Sequence, residues 1–307
     1  MEALIIPLTQ KDGYVTNLFY YKSSISRVHG NVLILHGMAE HLGRYQDFIQ
    51  SLTQEGFDVY IYNHRGHGTD KELTDLGYVA DKNGANILVQ DAYNACLYIK
   101  GNARCNQLAV FGHSMGSLIL RCLMQTYDEM DCAIVSSSTM PPAAVSKAGA
   151  FLADLLSFLQ GPKKRSQFLQ NAMFGGKAYT SLCSRTSYDW LTRNNDIIDN
   201  YMNDPYCGFL CTASFYGDLA KLSARAASKN GIAKTRKDLP VLFLAGGKDP
   251  VGGCSIQILR LHQLYTKLGF TKTEITLYPE DRHELLNELN AAEVYQDIFT
   301  WLHANLQ

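Results

Sequence analysis

The chain has 307 residues, enough to bury a large core as one α/β domain or as a domain carrying an insertion. Hydrophobic residues make up 46% and charged residues 19%, the balance of a globular enzyme and far from that of a disordered chain. A formal net charge of -1 lacks the basic surface that a phosphate backbone requires, so no nucleic acid is expected as a partner.

In chain order, Leu4-Ile5-Ile6 and Tyr14 to Tyr21 read as a leading antiparallel pair. Short apolar runs then alternate with amphipathic stretches. Val32 to Leu35, Asp58 to Tyr62, Leu108 to Phe111, Cys132 to Val135 and Val241 to Leu244 lack in-out alternation, the mark of strands covered on both faces. Between them, apolar stripes keep helical spacing at Tyr45 to Leu52 (closed by Gly56), Ala85 to Ile99, Met115 to Leu123, Cys254 to Leu268 and Val294 to Leu302. The expected fold class is α/β, a mostly parallel sheet with helices on both faces and right-handed crossovers. From Ser138 to about Pro205 no buried strand is visible, and helices are expected at Val145 to Leu159, Ser166 to Ala172 and Tyr179 to Arg193. An insertion this long, starting at a strand end, predicts a helical cap of residues 139–205 over a core of residues 1–138 and 206–307.

Targeting and redox signals are sparse. The N-terminus lacks a basic region followed by an apolar run, so no secretory leader is expected. The best candidate for a membrane span, Ala143 to Leu159, is interrupted by Lys147 and Asp154. The 8 cysteines are scattered without a CxxC pair, which predicts neither disulfide framework nor zinc site and fits a reducing cytoplasm.

The chemistry-bearing motif is Gly112-His113-Ser114-Met115-Gly116. Ser114 directly follows an apolar strand and directly precedes a helix, the setting of a nucleophile elbow. The glycines suit a turn too tight for side chains, and the helix N-terminus favours negative charge near the serine oxygen. A serine hydroxyl needs a base, and the base needs a carboxylate to orient it. Asp249 follows the strand Val241 to Leu244, and His283 follows the strand Glu274 to Tyr278, giving the order Ser, acid, His. Two backbone N–H donors should hold the oxyanion: Met115, next to the serine, and Met38, in the His36-Gly37-Met38 loop after an early strand. Asp281 and Glu284 stand too close in sequence to orient His283 and are expected on a solvated loop face. His113 is expected to pack structurally, and His262 and His303 fall within helices. His36, His41, His64 and His67 fit no zinc spacing, and GxGxxG is absent after the first strands, so neither metal nor cofactor is expected.

Together with His36-Gly37-Met38-Ala39-Glu40-His41, Arg65-Gly66-His67-Gly68, Asp249-Pro250-Val251 and Arg282-His283-Glu284, the elbow resembles the lysophospholipase and monoacylglycerol-lipase group of α/β hydrolases. The likeness runs from the first strands to the last helix. Asn203 to Phe209 is most similar to the group's bacterial members. The resemblance implies a serine esterase acting on single-acyl lipids, with the triad on Ser114, Asp249 and His283 and oxyanion donors on Met38 and Met115. Ser117 departs from the glycine that many members carry. The apolar stripe Val145, Ala148, Leu152, Leu155, Leu156 and Leu159, followed by Lys163-Lys164-Arg165, suits either a cap helix packed on the core or a helix docked peripherally on a membrane. An aminopeptidase of the same fold would need an anionic cap pocket, for which Asp154, Asp189, Asp196 and Asp199 are available. A catalytically silent binding protein is the rival from another class.

Overall fold

Eight strands form one sheet in the computed structural model, which describes residues 2–306. The strands are β1 (Leu4–Thr9), β2 (Val15–Tyr21), β3 (Gly30–Leu35), β4 (Phe57–Tyr62), β5 (Leu108–His113), β6 (Cys132–Ser136), β7 (Val241–Gly246) and β8 (Thr273–Tyr278). Their spatial order is β1-β2-β4-β3-β5-β6-β7-β8; β1 pairs antiparallel with β2 and β2 with β4, and every later pairing is parallel. This is the expected α/β class. Every residue of β3 to β7 is buried, whereas the edge strands β1 and β8 are half exposed.

The helices are α1 (Gln46–Gln54), α2 (Gly84–Asn102), α3 (Met115–Leu123), α4 (Ala143–Gln160), α5 (Gln167–Phe174), α6 (Lys177–Thr180), α7 (Asn195–Asn203), α8 (Ala213–Ala226), α9 (Lys229–Ile232), α10 (Ile256–Lys267) and α11 (Ala291–Asn305). Side chains of a strand alternate between faces, and the two cores follow that rule. Leu33, Val110, Val135 and Phe243 pack toward α2, α3, α8 and α10. Val32, Ile34, Phe111 and Leu242 pack toward α1 and α11 on the other face.

Between β6 and β7 the chain adds no strand to the sheet and builds α4 to α9. Two expectations fail there. The helix expected over Tyr179 to Arg193 is only the short α6, because Asp189 accepts the backbone N–H groups of Ser184, Arg185 and Thr186. Such local carboxylate bonds offer the backbone an alternative to the helical ladder. In addition, α7 and α8 lie where no helix was expected. The fourth amphipathic helix begins at Ile256, two residues late, because Cys254 and Ser255 are left-handed (φ 52° and 69°).

Candidate active site

The elbow joins the end of β5 to the start of α3. Gly112 pairs in register with Leu35 on one side and Val135 on the other, so the turn sits at the sheet's carboxyl edge. A Cβ on Gly116 would be driven into the Leu35 carbonyl, and one on Gly112 would lie 2.6 Å from the Gly116 carbonyl oxygen. Ser114 itself takes φ 51°, ψ -116°, a strained conformation for a residue with a side chain. Its N–H donates to the Ser136 carbonyl at 3.1 Å.

Three side chains expected to work together meet here. Ser114 Oγ lies 2.9 Å from His283 Nε2, and His283 Nδ1 lies 3.0 Å from Asp249 Oδ2. The carboxylate accepts a hydrogen bond from Nδ1–H, which leaves Nε2 free to accept from the serine hydroxyl. The other carboxylate oxygen, Oδ1, accepts the Val251 N–H at 2.8 Å, which fixes its angle. Burial pulls the His283 imidazole down, but the Asp249 carboxylate and, behind it, Glu284 and Glu40 outweigh that, and its pKa is raised.

Met115 opens α3, and the N–H groups of a first helical turn have no partner within the helix. Met38 lies in a loop whose neighbouring donors are committed: the Gly37 N–H to Glu40 Oε1 at 2.5 Å and the Ala39 N–H to His67 Nε2 at 3.1 Å. An added Cβ on Gly37 would lie 3.4 Å from Ser114 Cβ, so this loop runs alongside the serine. Behind it stand His36, His64 and His67, fully buried. Burial holds His36 and His67 down to about 3 and His64 well below the usual value, so all three are neutral hydrogen-bonding struts.

Asp281 and Glu284 are a correction: they are buried, not solvated. Arg44 binds Glu284 through two contacts of 2.5 and 2.6 Å and reaches Glu40 at 2.9 Å. Arg193 reaches Asp281 at 2.5 Å and Glu288 at 2.9 Å. Burial would push Glu284 up, yet Arg44 holds it down to about 2. Asp281, pushed up by burial and by Glu288, sits at about 6. Arg44 thus ties the Gly37 loop, through Glu40, to the residue next to His283. No sequence pattern announced that link, because its two ends are 240 positions apart.

His113 packs on His283 with ring centroids 4.9 Å apart, and Trp190 covers the same imidazole at 5.4 Å. Trp190 is stacked on Phe174 at 5.7 Å and met edge-on by Tyr179 at 5.3 Å, an aromatic roof that sequence reasoning missed. Beneath it lies a cavity of about 990 Å³, reached by Ser114 and His283 and walled by Leu152, Leu169, Phe174 and Leu219 among others. None of its described lining residues is Lys, Arg or Asp, and its two carboxylates, Glu40 and Glu284, are both spent on Arg44. His41, Asp204 and Cys207 bring ligand-type atoms within 4.8 Å of one another. There the His41–Asp204 hydrogen bond at 2.8 Å and a thiol pushed far up by burial describe a strut between the Gly37 loop and the segment after α7.

The mostly parallel sheet, its helices and the serine turn at its carboxyl edge define an α/β hydrolase of the esterase and lipase type. Residues 26–290 match the family described as serine aminopeptidase, S33, and the chain belongs to that family. It is 25% identical to a monoacylglycerol lipase of Mycolicibacterium smegmatis over 90% of this chain and 89% of the relative. It is also 25% identical to the mouse monoglyceride lipase over 79% of this chain and 72% of the relative. Among solved structures it superposes on a thermostable carboxyl esterase from Bacillus coagulans in complex with glycerol, with TM-score 0.91, 21% identity and complete coverage of both chains. A soluble variant of the Saccharomyces cerevisiae monoglyceride lipase, in complex with a substrate analogue, gives TM-score 0.76 and 20% identity over 99% of this chain and 96% of that one.

Proposed function

We propose that the protein hydrolyses carboxylic esters carrying one fatty acyl chain and a neutral head group, monoacylglycerol being the type substrate. The observation that carries this reading is the unbroken hydrogen-bonded chain Asp249–His283–Ser114 opening into a largely apolar cavity. Ser114 Oγ attacks the ester carbonyl while His283 Nε2 takes its proton, and Asp249 stabilises the resulting imidazolium. The N–H groups of Met38 and Met115 hold the oxyanion. The imidazolium then protonates the leaving alcohol, and water attacks the acyl-serine, with His283 as base, to release the fatty acid. No cofactor takes part in this sequence.

A charged phosphate head group, as in a lysophospholipid, would want a cation in the cavity, and the described lining offers none. A substrate amine would want an unpaired carboxylate. Asp154, Asp189, Asp196 and Asp199 do not line the cavity, and Glu40 and Glu284 already have a cation. Residues 139–205 act as the cap in this reading, and its outer face is apolar: Phe151 is 71% exposed and Phe158 86%, with Lys163 and Lys164 close by in sequence. That pattern favours docking on an anionic lipid surface. Among the described residues no helix is long and apolar enough to cross a membrane.

The test is a panel of monoacylglycerols, lysophospholipids and aminoacyl amides given to the parent and to Ser114→Ala. Turnover of monoacylglycerol that disappears in the variant is expected. Parent-like turnover by Ser114→Ala, or preference for the amides, would overturn the reading.

A further inference from the structure

Arg121 in α3 is the largest fully buried side chain among the described residues, at 0% exposure. Burying a guanidinium is costly unless a carboxylate accompanies it. Among the described residues none does. Arg121 donates to Ser138 Oγ at 3.1 Å and to the carbonyls of Thr139 and Ala226, each at 2.8 Å. Burial pulls its pKa down, and the ionisable groups acting beside it are a tyrosine and a cysteine, Tyr265 and Cys122. A cation held at this cost needs a reason.

The reason lies two hydroxyls away. Ser138 Oγ is 2.7 Å from Ser117 Oγ, and Ser117 Oγ is 2.5 Å from the carbonyl oxygen of Ser114. The directions follow from counting protons. A carbonyl has none to give, so Ser117 Oγ is the donor to the Ser114 oxygen, and its one proton is shared between that oxygen and Ser138 Oγ. Arg121 can only donate, so Ser138 Oγ accepts from it, and it accepts from Ser117 Oγ as well. The two hydroxyls thus link the cation to the backbone of the nucleophile by an unbroken run of short contacts. It ends on the peptide of a serine held at φ 51°, and its middle member lies beside Ser137, also left-handed at φ 50°. The second arm, through the Thr139 carbonyl, steadies the cavity wall: Thr139 Oγ1 and the Met140 N–H both donate to Gln257 Oε1, at 2.7 and 2.8 Å.

We propose that Arg121, acting through Ser138 and Ser117, is a positioning residue for Ser114, holding the strained elbow in its attacking geometry. The proposal rests on Ser114 being the nucleophile. Ser117 is then a working part of the elbow. Removing a hydroxyl from a charge-assisted chain should lower kcat about five- to tenfold, with KM within about twofold because no chain member touches substrate.

Ser117→Ala, Ser138→Ala and their pair test this in the full-length protein, with Arg121→Met and Arg121→Lys alongside. Readouts are kcat and KM on p-nitrophenyl butyrate and the rate of labelling by a fluorophosphonate probe. Both single serine variants should label about five- to tenfold more slowly, and the pair no more slowly than the worse single, since one broken link opens the whole chain. Arg121→Lys should retain more activity than Arg121→Met. Labelling at the parent rate in both serine variants, or losses that multiply in the pair, would overturn the proposal even if melting temperatures fall. A parent that fails to label would instead remove the nucleophile assignment itself.

Discussion

Arg44→Met leaves Glu40 and Glu284, at 4% and 5% exposure, without their shared counter-ion. Removing one partner of a buried ion pair costs about 3–5 kcal/mol, because the remaining charge stays buried and unpaired. Unfolding entropy of roughly 2.1 cal/mol/K per residue over 307 residues gives about 0.6 kcal/mol per degree. The melting temperature should therefore fall by about 5–8 °C at pH 8. The deficit also has a sign in pH. In the parent Arg44 holds Glu284 down to about 2, so the pair's stabilisation is present above the ordinary glutamate value of 4.5 and is lost only as pH falls toward 2. In the variant burial outweighs the remaining Asn287 hydrogen bond and raises the carboxyl, so acid neutralises it and relieves the strain. The difference between parent and variant should therefore shrink from pH 8 to pH 5. Differential scanning calorimetry at both values measures it. A parent-like melting temperature at pH 8, or a deficit that widens on acidification, would refute the electrostatic account of this clamp.

His36, His64, His67 and His113 are all depressed by burial below the usual 6.5, so the unfolded chain binds more protons than the folded one. Stability from these four is full above pH 6.5 and should drain away as pH falls toward about 4 for His113 and about 3 for His36 and His67; Asp281, raised to about 6, and His283, also raised, oppose them. Denaturant midpoints at pH 7.5, 6 and 5 check this, and a flat profile would contradict it. The acid limb of kcat/KM should lie above 6.5, because His283 must be neutral to accept the serine proton and its pKa is raised. Gly116→Ala should give insoluble or inactive protein, since its Cβ meets the Leu35 backbone rather than a movable side chain; soluble, active enzyme would show that the elbow can relax. Phe151→Glu with Phe158→Glu should weaken flotation with phosphatidylglycerol vesicles while leaving turnover of a soluble short-chain ester within about twofold, since both side chains face solvent.

The central strands were legible because they are buried on both faces, which leaves unbroken apolar runs such as Val32 to Leu35. The strand–turn–helix setting of Ser114 and the positions of Asp249 and His283 after strand ends were legible for the same reason. What escaped was structure built from small and polar residues. α8 buries Ser214, Gly217, Asp218 and Ser223 beside its aromatics, so it shows no clean apolar stripe. Its glycine gives the reason: an added Cβ on Gly217 would sit 3.4 Å from Ala153 of α4, so the two helices meet through their smallest residues. The segment after α6 misread as helix for the opposite cause, its Ser, Thr and Asp positions turning inward on the backbone. Ion clamps escaped altogether. Arg44–Glu284 and Arg193–Asp281 pair residues that only the finished sheet brings together.

The helical segment over the site leaves the sheet at Ser136 and re-enters at Val241, and these ends belong to strands that are hydrogen-bonded neighbours, with Ser136 opposite Leu244 and Ala133 opposite Val241. Neighbouring strands stand about 4.8 Å apart whatever is threaded between them. Closing a longer excursion costs only about 0.6 kcal/mol per doubling of its length. The sheet is therefore nearly indifferent to the size and sequence of what it carries at that point. The whole roof can be exchanged without re-registering a single strand. Arg193 and Trp190, which bind the histidine loop and cover its imidazole, are the attachments that any replacement would have to reinvent.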